Sequence, residues 1–250
     1  MKISIITVCY NSAQTISDTL QSVGDQTYKD IEHIIIDGGS TDRTLEIVAV
    51  HGGHVAKLIS EKDNGIYDAM NKGITLATGD VIGFLNSDDV FAEVDVVSTI
   101  AKTMADPSID ACYGDLDYVL RTDTSSIVRH WSSGEFSQKK LKKGWMPPHP
   151  TLFLRRTVIE NWGGFDTSFK ISADYDAILR YFSQGKIQTA YIPRVLTKMR
   201  MGGVSNQTLA KVWLKTREDY IALRRNRIGG VWVLLNKNLR KVSQFWLRST

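Results

Sequence analysis

The chain carries two adjacent carboxylates in the sequence Phe84-Leu85-Asn86-Ser87-Asp88-Asp89, directly after an apolar run. That run, Val81 to Leu85, has the length of a buried strand and follows a turn at Thr78-Gly79-Asp80. Two carboxylates at the end of a buried strand are costly unless a cation neutralises them or water reaches them. Hard oxygen ligands suit Mg²⁺ or Mn²⁺, which leave coordination positions for phosphates. A helix N-cap is the alternative role for the pair.

The residues around this stretch alternate between apolar strands and amphipathic helices. Strands are predicted at Ile3 to Val8, Ile31 to Ile36, Val55 to Ile59 and Val81 to Leu85, and helices at Ile16 to Gly24, Thr44 to Val50 and Ile66 to Leu76. This alternation predicts an α/β fold with a Rossmann-like, mostly parallel central sheet, flanking helices and right-handed crossovers.

Polar segments follow three of the predicted strands. They are Tyr10-Asn11, Asp37 to Asp42 and Asn86 to Asp89. Because ligands bind such sheets beyond the carboxyl ends of the strands, we expect all three segments to line one crevice. Taken singly, the Asp37 to Asp42 run also suits a turn with a helix N-cap. Taken together, the segments indicate a nucleotide pocket.

The second half of the chain is less regular. A helix is expected at Glu93 to Met104, and strands at Ile109 to Tyr113 and Thr151 to Leu154. Asp174 stands just before an apolar helical run, where a helix N-cap is one possible role. The region from Leu116 to Trp145 is poorly periodic and contains four lysines, which suits either a flexible flap or a solvated face.

Composition excludes several classes of protein. The 250 residues are 42% hydrophobic and 23% charged, as in ordinary soluble globular proteins. Two cysteines, Cys9 and Cys112, are too few for a zinc site or a disulfide framework, so a reducing cytosol is expected. Neither a secretory signal nor an apolar run of the ~18 residues needed for a membrane span is visible.

The C-terminal segment is strongly basic. From Lys211 to Thr250 ten Lys or Arg residues stand against Glu218 and Asp219. An apolar stripe recurs at helical spacing, with basic residues beside it: Trp232, Leu235, Leu239, Val242, Phe245 and Trp246, with Lys237, Arg240, Lys241 and Arg248. This pattern is typical of an amphipathic helix that lies on an anionic membrane surface. The alternative is a helix that packs on the domain or on a second subunit.

In its motifs the chain resembles the family 2 glycosyltransferases of the GT-A fold. The residues that carry the resemblance are Ile5-Ile6-Thr7-Val8-Cys9-Tyr10-Asn11, Ile36-Asp37-Gly38-Gly39-Ser40-Thr41-Asp42, Asn86-Ser87-Asp88-Asp89, Gly164-Phe165-Asp166 and Ala173-Asp174-Tyr175-Asp176. Two further segments, Gly65 to Gly73 and Gly202-Gly203-Val204-Ser205, are similar to the branch that builds bacterial surface polysaccharides such as colanic acid, O-antigen and capsule.

The resemblance implies transfer of one sugar, with inversion, from a nucleotide-diphosphate donor. Asp88 and Asp89 are then expected to bind Mn²⁺ or Mg²⁺, since a cation stabilises the charge that develops on the leaving diphosphate. Asp174 matches the general base. His149 is expected either to contact the diphosphate or the acceptor, or to be structural. The residues expected around the donor are Val8, Tyr10, Asp37, Gly38, Asp68, Asn71, Asn86 and Ser87.

The resemblance also implies an organisation and a location. Residues 1–205 are expected to form the catalytic domain, with a nucleotide-sugar half at about 1–115 and an acceptor half at about 116–205, followed by a helical tail at 206–250. The acceptor is expected to be a glycan linked to polyprenyl diphosphate. The protein is therefore expected to be cytoplasmic, on the inner face of the plasma membrane, with no nucleic-acid partner.

The chain departs from the family pattern at three positions. Gly38 stands where many relatives have a second Asp that contacts uracil, which opens the choice between UDP and GDP. Met70 replaces an Arg, and Ala173 replaces the Glu beside the base. Two rival functions remain at this stage: a sugar-nucleotide nucleotidyltransferase, although Cys9-Tyr10-Asn11-Ser12 lacks the Gly-rich basic loop of that class, and a non-catalytic module that binds a nucleotide or a membrane.

Overall fold

Long apolar runs form the first strands of the sheet. In the computed structural model, which describes residues 1–202 and 209–243 apart from the side chains of 209 and 240–243, they are β1 (Ile3–Cys9), β2 (Ile31–Asp37), β3 (Val55–Ser60) and β4 (Val81–Phe84). The strands pair in parallel in the order β3-β2-β1-β4. They are connected by α1 (Ile16–Gly24), α2 (Thr44–His51) and α3 (Ile66–Leu76). This half of the sheet therefore has the predicted alternation.

The second half of the sheet is mixed. Its strands are β5 (Asp89–Phe91), β6 (Ala111–Leu120), β7 (Asp123–Trp131), β8 (Phe153–Arg155) and β9 (Thr189–Arg200). The strand order is β3-β2-β1-β4-β8-β6-β9-β5, with β7 beside β6. In this half of the sheet, β6 and β9 pair in parallel. The other pairings are antiparallel: β8 with β4 and with β6, β7 with β6, and β5 with β9. The α/β fold is confirmed, and its sheet is mixed as a whole.

Helices cover both faces of this sheet. The remaining helices are α4 (Val96–Met104), α5 (Gln138–Leu141), α6 (Arg156–Trp162), α7 (Ala173–Leu179), α8 (Leu209–Arg225) and α9 (Val231–Ser243), and a π-helical turn, Arg180–Gln184, extends α7. Ile6 and Val8 of β1 join the apolar cluster that includes α3 and α7, whereas Ile3 and Ile5 join the cluster that includes α4. Alternate residues of one strand thus fill two cores.

The interpretation of residues 116–145 as an irregular flap is wrong for most of the region. β6 continues to Leu120 and turns into β7, so these residues form an antiparallel hairpin. The strand was not predicted because two buried carboxylates interrupt its apolar pattern. Asp115 accepts a hydrogen bond from the backbone N–H of Ser133 at 2.7 Å, and Asp117 lies 2.6 Å from His130. Because each carboxylate has a partner across the fold, a polar residue is tolerated where an apolar one was expected.

The C-terminal helices pack against the start of α7. Glu218 of α8 is buried, and its carboxylate accepts hydrogen bonds from the backbone N–H groups of residues 170, 171 and 172 at 2.8, 2.8 and 2.9 Å. The Nζ atom of Lys237 in α9 lies 2.7 Å from Asp219 and 3.3 Å from the centre of the Tyr175 ring. Lys237 was expected on a basic surface, but it is buried in an ion pair.

The predicted apolar stripe of the tail faces solvent. Trp232, Leu235 and Leu239 are 79%, 46% and 66% exposed, whereas Val233 and Leu234 on the other side of α9 join the core. Within the described residues, the stripe does not pack on the domain. Its other members, and the basic residues beyond Lys237, are outside the described side chains: Val242, Phe245, Trp246, Arg240, Lys241 and Arg248. No helix in the described ranges is long and apolar enough to cross a bilayer.

Replacing Glu218 by Ala should destabilise the protein strongly. The change leaves three backbone N–H groups near α7 without their charged acceptor, so we expect the free energy of unfolding to fall by about 2–4 kcal/mol in urea denaturation. Glu160→Ala is the control, because Glu160 pairs with Arg156 at the surface and such pairs contribute less than about 1 kcal/mol. Equal losses in the two variants would contradict this account of how α8 is anchored.

Candidate active site

The loops that follow β1, β2 and β4 are hydrogen-bonded to one another. Asn11 adopts a left-handed backbone conformation with φ of 49°, and its Oδ1 atom accepts a hydrogen bond from the N–H of Thr41 at 2.9 Å. The N–H of Asn11 donates to the hydroxyl of Ser40 at 2.8 Å. The hydroxyls of Ser12 and Ser87 are 2.8 Å apart. The three polar segments therefore lie side by side beyond the carboxyl ends of β1, β2 and β4, where the order of the strands predicts the crevice.

An exposed aromatic ring stands at this crevice. Tyr10 is 62% exposed, while the side chain of Val8 two residues earlier is buried in the core. A Cβ atom added at Gly38 would lie 3.6 Å from the Tyr10 ring but only 2.4 Å from Oδ2 of Asp63. The side chain of Asp63, from the loop after β3, thus fills the space beside Gly38.

Asp37 is buried and holds the loop after β2. Its carboxylate accepts hydrogen bonds from the N–H groups of Gly39 and Ser40 at 3.1 and 3.0 Å, from the hydroxyl of Ser60 at 2.7 Å, and from the hydroxyl of Ser40. Burial alone would raise the pKa of Asp37, but these donors hold it below its ordinary value. Asp37 therefore fixes the conformation of the loop after β2.

The carboxylate pair lies at the end of β4, where Asp89 is buried and Asp88 is half-buried. Burial raises the pKa of Asp88, and burial together with the charge of Asp88 raises the pKa of Asp89 well above its usual range. Two buried oxygens at this place, Oδ1 of Asn86 and Oδ1 of Asp89, have no hydrogen-bond partner among the described residues. Unsatisfied oxygens beside two carboxylates fit a hard divalent cation.

Such a cation would need ligands from outside the protein. In the part of the chain that the structure describes, no group of three or more His, Cys, Asp or Glu side chains is arranged to hold a metal. Mg²⁺ and Mn²⁺ sites commonly use one or two carboxylates and take their remaining oxygens from water and substrate phosphates. The donor set of Asn86, Asp88 and Asp89 therefore matches a site that is completed by a diphosphate.

The loop that carries the pair is anchored from two sides. The guanidinium of Arg200 in β9, itself buried, donates to the carbonyl of Asp88 at 3.0 Å and pairs with Asp18 of α1. The hydroxyl of Thr19 donates to the carbonyl of Asp89 at 2.7 Å. These contacts anchor the backbone at both carboxylates.

Two residues expected at the donor are bound to protein groups instead. The amide of Asn71 donates to the carbonyl of Phe165 at 2.8 Å and accepts from its N–H at 2.9 Å, so it holds the turn at Gly164-Phe165. Asp68 accepts from the N–H of Asn64 at 2.9 Å and lies 3.6 Å from Lys72. Lys72 in turn lies 2.8 Å from Glu61.

Asp174 lies in the first turn of α7, among aromatic side chains. The N-cap of α7 is Ser172, so Asp174 does not have the capping role that its position also suited. The hydroxyl of Tyr67 donates to the carbonyl of Ile171 at 2.6 Å and also lies 3.2 Å from Oδ1 of Asp174, so its single proton is shared between these two acceptors. Burial and the negative charge of Asp174 both raise the pKa of Tyr67, which keeps this hydroxyl protonated and donating.

His149 and Asp174 line the same small pocket, together with Phe84 and Phe165. The ring of His149 lies 5.5 and 5.7 Å from the rings of Phe84 and Phe165, and its Nε2 atom is buried with no partner in the described residues. Burial lowers the pKa of His149, while the charge of Asp174 opposes that shift. A neutral imidazole thus lies near a carboxylate, and its Nε2 atom is unsatisfied.

Sequence reasoning missed the roles of Asp63, Tyr67 and Arg200. Asp63 follows β3 and could have been found by the same strand-end rule that selected Asn11 and Asp37. Tyr67 is part of a motif segment, but no local pattern shows that its hydroxyl reaches α7, 107 residues away. Arg200 lies at the end of a strand that was not predicted.

Known glycosyltransferases resemble this chain in sequence. The family described as Glycosyl transferase family 2 matches residues 4–163. A PGL/p-HBAD biosynthesis glycosyltransferase of Mycobacterium tuberculosis is 33% identical over 218 residues, which are 85% of this chain and 82% of that protein. An uncharacterized glycosyltransferase of the same species is 35% identical over 182 residues, 71% of this chain and 68% of that one.

Solved structures share the fold. TarS 1–349 of S. aureus in complex with UDP-GlcNAc superimposes with a TM-score of 0.72 at 16% identity, over 97% of this chain and 73% of that chain. The mannosyltransferase PcManGT of Pyrobaculum calidifontis, in complex with GDP-Man and Mn²⁺, superimposes with a TM-score of 0.65 at 17% identity. The match covers 100% of this chain and 76% of that chain. The family match covers most of the strands that form the crevice and the close relatives extend beyond it, so this chain is a glycosyltransferase of family 2 with the GT-A fold.

Proposed function

We propose that this protein is a metal-dependent, inverting glycosyltransferase that moves one sugar from a nucleoside-diphosphate sugar to a lipid-linked glycan in bacterial polysaccharide synthesis. The observation that carries the proposal is the set of unsatisfied oxygens on Asn86 and Asp89, beside Asp88, at the carboxyl end of β4. This set suits a cation that binds a diphosphate. The two structural neighbours support this donor class, since one is in complex with UDP-GlcNAc and the other with GDP-Man and Mn²⁺.

Asp88 and Asp89 would hold the metal, with Asn86 beside them. When bound, Mn²⁺ or Mg²⁺ stabilises the negative charge of the departing nucleoside diphosphate. The protein contributes a rigid loop, because Arg200 and Thr19 fix the backbone at both carboxylates. The exposed ring of Tyr10 offers a surface for the base of the nucleotide.

Asp174 is the proposed general base. Inversion by a single displacement needs one carboxylate on the acceptor side, which takes the hydroxyl proton of the acceptor as the new bond to C1 forms. The hydroxyl of Tyr67, which also donates to the carbonyl of Ile171, lies beside one oxygen of Asp174, and the other oxygen is proposed to face the acceptor. His149 beside it, neutral because of burial, is proposed to contact the acceptor or the diphosphate through Nε2.

The C-terminal tail supports an acceptor that lies at a membrane. We propose residues 1–205 as the catalytic domain, with donor and acceptor halves divided near residue 115, and 206–250 as a tail that contacts the inner face of the plasma membrane. The support is the exposed stripe of Trp232, Leu235 and Leu239 in a basic segment. A polyprenyl-diphosphate-linked glycan of the colanic acid, O-antigen or capsule type would be presented at that surface.

Replacing Asp174 by Asn should abolish transfer but not donor binding. Without a proton acceptor we expect kcat to fall by about 10²–10⁴-fold, measured as release of UDP or GDP from a panel of nucleotide sugars with polyprenyl-diphosphate-linked saccharides as acceptors. Tyr67→Phe should cause a smaller loss, since it removes only one hydrogen bond to the base, and Glu160→Gln should have no effect. Normal transfer by Asp174→Asn, or pyrophosphate release from nucleoside triphosphates, would refute the proposed chemistry.

Replacing Asp89 by Asn should raise the stability of the metal-free protein and remove its response to Mn²⁺. The raised pKa values mean that the folded state binds more protons than the unfolded state, so stability without metal falls as the pH rises from about 4 through the raised values. At pH 8 we expect a gain on the order of 1 kcal/mol.

Thermal unfolding with EDTA or Mn²⁺ at pH 5 and pH 8 measures both effects. In the native protein, Mn²⁺ should raise Tm more at pH 8 than at pH 5, because fewer protons compete with the metal for the two carboxylates. Asp25→Asn, at an exposed carboxylate, is the control. An equal Tm gain from Mn²⁺ in the native protein and in Asp89→Asn would place the metal elsewhere.

Removing the exposed stripe of α9 should weaken membrane binding. We expect the full chain to sediment with vesicles of phosphatidylglycerol and phosphatidylcholine but not with phosphatidylcholine alone. The triple variant Trp232→Ser, Leu235→Ser and Leu239→Ser should lose at least fivefold of that binding, because it removes the apolar surface that would enter the lipid. Val50→Ser, at a 76% exposed residue of α2, is the matched control. Unchanged sedimentation of the triple variant would exclude this surface.

A further inference from the structure

The carboxylate of Asp63 takes the place of a side chain at residue 38. A Cβ atom added to Gly38 would lie 3.2 Å from Cγ of Asp63 and only 2.4 Å from its Oδ2, and the latter distance is closer than real Cβ contacts allow, so the carboxylate would have to shift. Oδ1 of the same carboxylate accepts a hydrogen bond from the N–H of Gly65 at 2.9 Å. Asp63 is therefore held by one oxygen, while the other points to the glycine.

The free edge of this carboxylate lies next to an aromatic face. The point where the Cβ of residue 38 would stand is 3.6 Å from the ring of Tyr10, which is 62% exposed. Asp63 itself is only partly buried, and Oδ2 accepts no hydrogen bond from the described residues. A flat apolar surface and a hydrogen-bond acceptor thus stand side by side at the mouth of the crevice.

We propose that Asp63 selects the nucleobase of the donor: the base stacks on Tyr10, and Oδ2 of Asp63 accepts a hydrogen bond from its ring N–H. This inference rests on the proposed nucleotide-sugar function. An ionised carboxylate only accepts hydrogen bonds. Uracil carries an N–H at N3 and guanine at N1, whereas cytosine and adenine carry acceptors at those positions. The site should therefore bind UDP or GDP more tightly than CDP or ADP, whose bases can meet Oδ2 only through an exocyclic amino group beside a ring acceptor.

The same geometry explains Gly38. A larger residue there would strike Asp63, and an Asp there would also add a second negative charge within a few ångströms. In this proposal the carboxylate that binds the nucleobase is that of Asp63, in the loop after β3, and the absence of a side chain at Gly38 leaves room for it. A change of donor base does not follow from the glycine.

Titration calorimetry of the full chain with UDP, GDP, CDP and ADP, each with Mn²⁺, tests the proposal. We expect UDP or GDP to bind at least tenfold tighter than CDP and ADP, and the comparison of UDP with GDP identifies the base. Asp63→Asn keeps an oxygen for Gly65 but places an N–H₂ donor toward the base, so it should remove that preference. Glu61→Gln, an exposed carboxylate in the same loop, should leave it unchanged.

A relocation variant provides the second test. Gly38→Asp alone should weaken UDP or GDP binding at least tenfold, and Gly38→Asp combined with Asp63→Ala should recover most of it, because one carboxylate is again present. If Asp63→Asn keeps the full preference for UDP or GDP, the inference about Asp63 is wrong. The proposed function would still stand in that case, because the protein binds a nucleotide. Failure of the native protein to bind any of the four nucleotides would instead overturn the nucleotide-sugar function, and this inference with it.

Discussion

The burial of two adjacent carboxylates at the end of β4 is the constraint on which the site depends. Asp88 and Asp89 would repel each other in a dry environment, and the fold does not relieve the repulsion by letting them move. Arg200 binds the backbone of Asp88 and Thr19 that of Asp89. Under the proposed function, a cation would offset the electrostatic cost that Arg121 and Arg200 only partly reduce, and it would thereby favour binding of the diphosphate.

The sheet brings the other groups to this point. β1 lies between β2 and β4, so the loops after these strands are neighbours without any long-range adjustment of the chain. Short side chains complete the connection, since Ser12 reaches Ser87 and Asn11 reaches Thr41. Asp37 holds the loop after β2 through its hydrogen bonds, and Tyr10 is exposed beside it.

The sequence was sufficient for the parts of the fold where local pattern and burial agree. The first four strands are apolar runs buried by helices, and their polar ends predict the crevice. It was insufficient where a polar residue is paired across the fold, as with Asp117 and His130 in the hairpin. Side-chain partners such as Tyr67 with Asp174, or Glu218 with the start of α7, depend on tertiary packing that no window of sequence contains.

Helix α3 links the donor and acceptor sides of the site. It begins directly after the turn that Asp63 makes with Gly65, and its first turn carries Tyr67, whose hydroxyl binds Asp174. One turn further along, Asn71 binds both backbone groups of Phe165, a ring that packs against Tyr67 at 5.6 Å. A displacement of α3 would therefore move Asp63, the proposed contact of the nucleobase, together with Tyr67, which lies beside the proposed base. Under the proposed function, donor binding and acceptor activation thus share one geometric requirement.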